Sequence, residues 1–568
     1  MEVDVSDRHL KCGSYWALAT RAIAAAMLAA LAAIAPAQAG GVSVLTYHND
    51  NSRTGWNPNE TELTPTNVNA SQFGLIFRVL LDGNVFAQPL YVPQVTIAGA
   101  PHNVVVAATE NASVYAIDAD TGAVLWRHAF PSSPSIRPAS ATCDCLSECY
   151  GKGPQGLTGT PTIDVGLDSI YVVARTNEYH GIHYVNYQLH ALSIKSGADR
   201  VTPRLIELSA VATGGVTVRL SPKCNLQRPG LAEANGNIYV AFGSEGDQQP
   251  ATTTGWLAAY DAQTLAPVGA FPHGATTAGG LPQKQHLNGV YGPVRLASVW
   301  MSGCAPAIDA AGNVYVQTGN GAFDGKLDWG MSMLKISPML AGVLSYFTPS
   351  TYEHDNNRDI DLGSAGAILL PQAAGNYQVA VGGGKSGDTY LLNEANLGGL
   401  QPSGDPNVLF WAKTNAGLWG TPATYIGADG NTYLFVPGSG PMTAWKVTTS
   451  PGPGLVKVGH TPDAFGDGNN GGTIPVISSN GTTAGTAIVW AYSRSPAPTD
   501  ITLRAYDAAN LSDELIEIPF TKWEVNGTSL ITPMVANGRV YAGGAGVLKA
   551  YGLLADQRSG FRSPTHSR

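Results

Sequence analysis

The sequence predicts an all-β chain closed into an eight-bladed β-propeller of four-stranded antiparallel blades, and three observations carry that prediction. The first is a hairpin at Ala116 to Trp126 (AIDADTGAVLW), in which Asp118 to Gly122 supply turn chemistry between two β-rich flanks. Echoes recur at Ala191 to Gly197 (ALSIKSG), Ala259 to Thr264 (AYDAQT) and Ala505 to Asn510 (AYDAAN). The second is a recurring residue-Pro step before an apolar strand. It falls at Gln88-Pro89, Thr160-Pro161, Arg228-Pro229, Ala305-Pro306, Thr421-Pro422, Ile474-Pro475 and Thr532-Pro533, with Ser364-Ala365-Gly366 filling the one gap. The third is composition. The 67 glycines and only 13% charged residues suit many short strands and tight turns, and no stretch sustains a 3.6-residue period.

In chain order, residues 1–39 read as an export signal. Arg8, Lys11 and Arg21 precede an apolar run from Ala22 to Ile34, and Ala37-Gln38-Ala39 offers a cleavage site; a retained anchor helix is the alternative. The reading therefore places the mature chain in the periplasm or outside the cell, with no later apolar run long enough to span a membrane. Residues 40–72 form an N-terminal extension, and Phe73 to Leu80 is an orphan strand. The last repeat, Thr532 to Leu554, holds three strand candidates, so Phe73 to Leu80 is expected to complete its blade near Val547 to Tyr551. The propeller thus spans 73–554, and 555–568 is a polar tail. Two β-sandwich domains are the competing architecture, but no Pro/Ser-rich linker divides the chain.

The net charge of −9 and the lack of a basic aromatic cluster argue against a nucleic-acid partner. Five cysteines follow the signal, namely Cys143, Cys145, Cys149, Cys224 and Cys304. In an exported chain they suit disulfides, with Cys224 near Cys304 and two of the first three paired locally. A zinc cluster of Cys143, Cys145 and Cys149 lacks both a standard spacing and a nearby His. His180, His183 and Glu178 invite a metal reading, but their context is that of a surface loop without a zincin pattern. No C-x-x-C-H, G-x-S-x-G or Walker motif is present, which sets aside covalent haem, serine hydrolases and NTPases.

The ordered motifs resemble those of the pyrroloquinoline quinone (PQQ) repeat propellers, the superfamily of the quinoprotein alcohol dehydrogenases. The A-x-D-x-x-T-G-x-x-x-W hairpin resembles their tryptophan-docking motif, in which the Trp packs between blades. Tyr47 to Gly55 (YHNDNSRTG), Leu63 to Asn69, Gln317 to Gly321 (QTGNG), Asp355 to Ser364 (DNNRDIDLGS) and Gly382 to Leu392 look like further segments of that family.

The resemblance implies PQQ held over Ca²⁺ or a lanthanide in the central channel, with an Asp acting as base on an alcohol. Asn320 matches the family's Asn metal ligand, and its other reading is a turn Asn at positive φ. Glu245 or Asp247 would supply the acidic metal ligand. Asp328, with Asp324 in reserve, lies in the region carrying the catalytic Asp. Arg228 and Lys385 would pair with PQQ carboxylates or form interblade bridges, and Trp419 would cover the flat cofactor or pack a blade. Two departures stand out. Cys143-Asp-Cys145 interrupts the family's vicinal cysteine pair. Ser302-Gly-Cys304 occupies the neighbourhood of the Trp that stacks under PQQ, with Trp300 displaced.

Two functions follow. One is an oxidoreductase for a small-molecule alcohol or aldehyde that passes electrons to an external acceptor. The other is a non-catalytic propeller that binds protein or polysaccharide at the cell envelope.

Overall fold

Proline marks where the blades begin, for a simple reason. The innermost strand of a propeller blade has a free edge toward the central channel, and a residue without an N–H is tolerated at the start of such a strand. In the computed structural model the inner strands Leu90–Ile97, Thr162–Asp164, Ala307–Ile308, Ala423–Ile426, Val476–Ser478 and Met534–Ala536 each follow a proline directly. Ala232–Ala234 follows Pro229 three residues on, and Ile368–Leu369 begins after Ser364-Ala365-Gly366. The structure describes residues 42–130, 136–138, 154–179, 183–212, 214–244, 246–247, 249–275, 283–287, 289–466, 472–494, 501–520 and 531–554. The proposed signal, the tail, Glu245, His180 and Cys143, Cys145 and Cys149 lie outside them.

Each inner strand opens an antiparallel meander, and eight such sheets form the ring. The first blade is typical, running through Leu90–Ile97, Ala100–Thr109, Ser113–Asp118 and Val124–Ala129 from the channel outward. The eighth is completed from the far end of the chain. Phe73–Leu80 pairs antiparallel with Val547–Leu553, Phe73 opposite Leu553 and Leu80 opposite Val547, so the expected closure is present.

Neighbouring blades are joined by apolar packing and by a few directed bonds. Asp118 Oδ1 accepts from the backbone N–H groups of Asp120 and Thr121 and from the Thr121 hydroxyl, which fixes the turn before Trp126. The Trp126 indole N–H then donates to the Ile194 carbonyl of the next blade at 2.9 Å. Gly197 lies directly beneath that indole, where a Cβ would come within 2.5 Å of the ring.

A second set of ties is carried by tyrosines of the second strands. Tyr171 donates to Ala262 O at 2.7 Å and Tyr239 to Pro338 O at 2.9 Å, each reaching a turn of the following blade. Tyr541 does the same across the closure, donating to Ala119 O of the first blade at 3.3 Å.

The N-terminal extension is a belt inside the ring. Carbonyls of Leu45, Asn51, Ser52, Thr54 and Gly55 accept from Ile163, Ile308, Leu369, Thr424 and Ile477, residues on the inner strands of five blades. Val44 pairs with Tyr91 of the first blade, and the side chains of Asn51 and Asn57 donate to Glu233 O and Val535 O of the third and eighth. Buried Arg53 anchors the belt. Its guanidinium donates to Pro306 O at 2.8 and 3.0 Å, Tyr47 O at 2.9 Å, Asp50 O at 3.0 Å and Thr46 Oγ1 at 2.8 Å. His48, also buried, lies between the carbonyls of Arg53 and Pro475. Its ring covers Gly55, whose φ of 69° and lack of a Cβ allow the approach.

Cys304 is a free, buried thiol, so the expected Cys224–Cys304 pair does not form. Its sulfur approaches Ala305 O at 3.2 Å, and burial pushes the thiol up to about 11. No helix among the described residues is long and apolar enough to cross a membrane.

Candidate functional site

In an up-and-down blade, the loop between the second and third strands opens on the same face as the crossover from the outer strand to the next blade. The described site residues all lie on that face. Asp247, Asn320 and Lys385 occupy the second-to-third-strand loops of the third, fourth and fifth blades. Arg228, Trp300, the pair Asp359 and Asp361, and Trp419 occupy the successive crossovers from the second blade to the sixth.

Three carboxylates converge there. One oxygen each of Asp247, Asp359 and Asp361 lies within 4.8 Å of the others. Asn320 binds all three residues. Its backbone N–H donates to Asp361 Oδ1 at 2.8 Å, while its side-chain amide donates to Asp359 Oδ1 at 2.8 Å and Asp247 Oδ2 at 3.4 Å. The Asn320 Oδ1 is buried and has no hydrogen-bond donor among the described residues. Asn320 does not take a positive φ, so the turn explanation of this asparagine fails. Asp247 and Asp359 do take it, at 54° and 59°. Such backbone is uncommon outside glycine and collects at functional sites.

One cation faces these acids. Lys385 Nζ lies 2.6 Å from Asp361 Oδ2 and 2.9 Å from Asp359 Oδ1. Burial opposes its charge, but Asp361 and Asp359 outweigh that and hold the ammonium above the usual lysine range. Three carboxylates against one ammonium leave the group short of positive charge. Burial, followed by repulsion from Asp361, accordingly raises both Asp247 and Asp359 above the usual carboxylate range.

Two indoles flank the acids. Arg228 Cζ sits 5.6 Å from the centroid of Trp300, and Lys385 Nζ sits 4.8 Å from that of Trp419. Gly319, next to Asn320, separates Trp300 from Asp361. A Cβ at that glycine would fall 2.7 Å from Asp361 Oδ1 and 3.1 Å from Trp300 Cδ1.

The structure therefore gathers four of the residues named from the sequence, Asn320, Asp247, Lys385 and Trp419, and sets Arg228 against Trp300 beside them. Trp300, set aside as displaced, stands next to the carboxylates because its crossover turns back sharply after it. Asp324 and Asp328 do not join the cluster. The Asp324 carboxylate accepts from the backbone N–H groups of Lys326, Leu327 and Asp328 in its own turn. Asp328 is buried beside Gly274 and the charge of Arg295. Asp359 and Asp361 were missed as individual residues, although the DNNRDIDLGS segment had been singled out.

A hard-cation site fits this donor set. Three carboxylates and an unpartnered amide oxygen are the oxygen ligands such ions take. The two indole faces, with Arg228 and Lys385, suit a flat anionic molecule.

The fold is an eight-bladed β-propeller. Among solved structures it is similar to quinohemoprotein alcohol dehydrogenase from Comamonas testosteroni, at TM-score 0.54 and 15% identity. It is likewise similar to quinohemoprotein alcohol dehydrogenase ADHIIG from Pseudomonas putida HK5, at TM-score 0.57 and 15% identity. Each likeness covers 93% of this chain and 82% of the other. No protein-family model and no curated protein matches the sequence.

Proposed function

We propose that the protein is an exported, PQQ-dependent oxidoreductase that acts on an alcohol or aldehyde with a Ca²⁺ or lanthanide ion and delivers electrons to an external acceptor. The observation that carries this reading is the buried, unpartnered Asn320 Oδ1 beside three converging carboxylates. Asp361, Asp247 and Asn320 would hold the cation, with Glu245 of the same loop as Asp247 a further candidate. Bound PQQ would supply a two-electron acceptor, and the cation its Lewis acidity. Asp359 is the most exposed of the three acids, its side chain 50% exposed, and would take the substrate hydroxyl proton. Lys385 and Arg228 would neutralise cofactor carboxylates over Trp419 and Trp300. Export rests on the basic, apolar and small-residue pattern of residues 8–39.

The test is reconstitution of the purified chain with PQQ and CaCl₂ or LaCl₃, followed by absorption spectra and dye-linked alcohol oxidation. Uptake of PQQ that depends on the cation, weakened about tenfold or more in Asn320→Ala without loss of the folded state, is the expected result. A wild-type chain that takes up no PQQ would end this reading. It would leave the envelope-binding propeller, which the interrupted Cys143-Asp-Cys145 sequence favours.

A further inference from the structure

The crossover that carries Trp300 turns back through three successive left-handed residues. Met301, Ser302 and Gly303 have φ of 44°, 49° and 88°. Only the glycine is at ease there, so something in the surroundings must hold Met301 and Ser302 in place. The Ser302 hydroxyl is buried and reaches two carbonyls on other crossovers, Ser364 O at 2.6 Å and Trp419 O closer still. Ser364 repeats the device. Its hydroxyl lies 2.6 Å from Leu418 O and 3.2 Å from Asp361 O. Two small hydroxyls thus link three crossovers, those bearing Trp300, Asp361 and Trp419.

We infer that Ser302, seconded by Ser364, is a positioning residue that sets Trp300, Asp361 and Trp419 at the separation a flat cofactor requires. This deepens the PQQ reading and rests on it. Neither serine meets substrate or cofactor, and each works through the backbone it holds. Ser302 suits the place for two reasons. It is small enough to tolerate the left-handed turn, and its hydroxyl hydrogen is shared between acceptors on two separate crossovers. Alanine would keep the size and lose the bond. Glycine would also lose the bond but relieve the backbone.

The test uses the full chain labelled with 5-fluorotryptophan, with the Trp300 and Trp419 fluorine resonances assigned through Trp300→Phe and Trp419→Phe. Ser302→Ala and Ser302→Gly are compared with Ser478→Ala, a control that removes a buried hydroxyl bonded to Trp490 Nε1 in the seventh blade. Both Ser302 variants should shift or broaden the Trp300 and Trp419 resonances, and the control should disturb Trp490 alone. With PQQ and CaCl₂ added, both should bind the cofactor about tenfold more weakly than wild type and the control should not. Unchanged Trp300 and Trp419 resonances in Ser302→Gly would overturn the inference even if melting temperature fell. Where Ser302→Ala does not fold, the glycine variant, which fits the left-handed backbone, decides. If the wild-type chain takes up no PQQ, the cofactor reading fails and the fluorine spectra, which need no cofactor, still decide the clasp.

Discussion

Two cations of the ring, Arg53 and Lys385, are treated in opposite ways. Arg53, in the belt, is fully buried, and its guanidinium donates to neutral oxygens while the nearby Asp50 carboxylate favours its charge. Lys385, on the loop face, meets carboxylates only a hydrogen bond away and still leaves them undercompensated. The same face holds Glu110, buried after the second strand of the first blade, with one carboxylate oxygen bonded to Thr158 and the other without a hydrogen-bond partner among the described residues. Burial pushes Glu110 up to about 8. The belt is a structural region whose polar groups are answered by the blades, Asn49 Oδ1 excepted among the described residues. The loop face carries unanswered acid, which favours stability less and cation binding more.

The largest test of this contrast is Arg53→Met. It removes the donors of several buried carbonyls at once and should cost about 4–5 kcal/mol in urea unfolding, with no rescue by Ca²⁺ or La³⁺. Rescue by either ion would break the distinction between the two regions.

The second test is pH. Glu110 ionises near its ordinary value when unfolded and near 8 when folded, so stability is full below about 4.5 and falls as pH rises toward 8. Glu110→Gln removes that slope. Its stability relative to wild type should rise by about 3–4 kcal/mol between pH 4.5 and 8, measured as the difference of two urea series. Parallel curves would show that the acid is not held neutral.

The smallest effect is expected from Lys385→Met. Asp359 is half exposed and screened, whereas Asp361 is buried, so the cation-free chain should lose about 3 kcal/mol at pH 7, nearly all of it from stranding Asp361. That loss should shrink when LaCl₃ is added, since the acids then have another counter-charge. A loss that the ion leaves untouched would make Lys385 a structural residue like Arg53.

The contrast also explains what the sequence could disclose. The blades were legible because their signals are local. Proline before a channel-edge strand and an Asp-x-Asp-Thr-Gly turn before Trp126 need no knowledge of distant residues. The site is made of crossovers and loops of unequal length from separate blades, so residue type alone did not rank its acids. Asp324 and Asp361 look equally apt on paper. One is absorbed by the amides of its own turn, and the other is held free of its turn by Asn320 and Lys385. Trp300 was misjudged for a related reason, because the left-handed run after it changes where a given number of residues leads. Asn320, Asp247 and Lys385 were named because they fall in segments that resemble those of the quinoprotein dehydrogenases, and the fold brings the three together.

The pairing of Phe73–Leu80 with Val547–Leu553 has a consequence for how the chain is made. During synthesis the outer strand of the eighth blade, Phe73–Leu80, waits until almost every other described residue has been added. The belt waits as well, since its carbonyls are answered only as blades arrive in turn. Contacts so remote along the chain form slowly. A truncation just before residue 547 would therefore strip Phe73–Leu80 of its partner far away in sequence and open the edge of Arg539–Gly544 as well, leaving both ready to pair with a stranger.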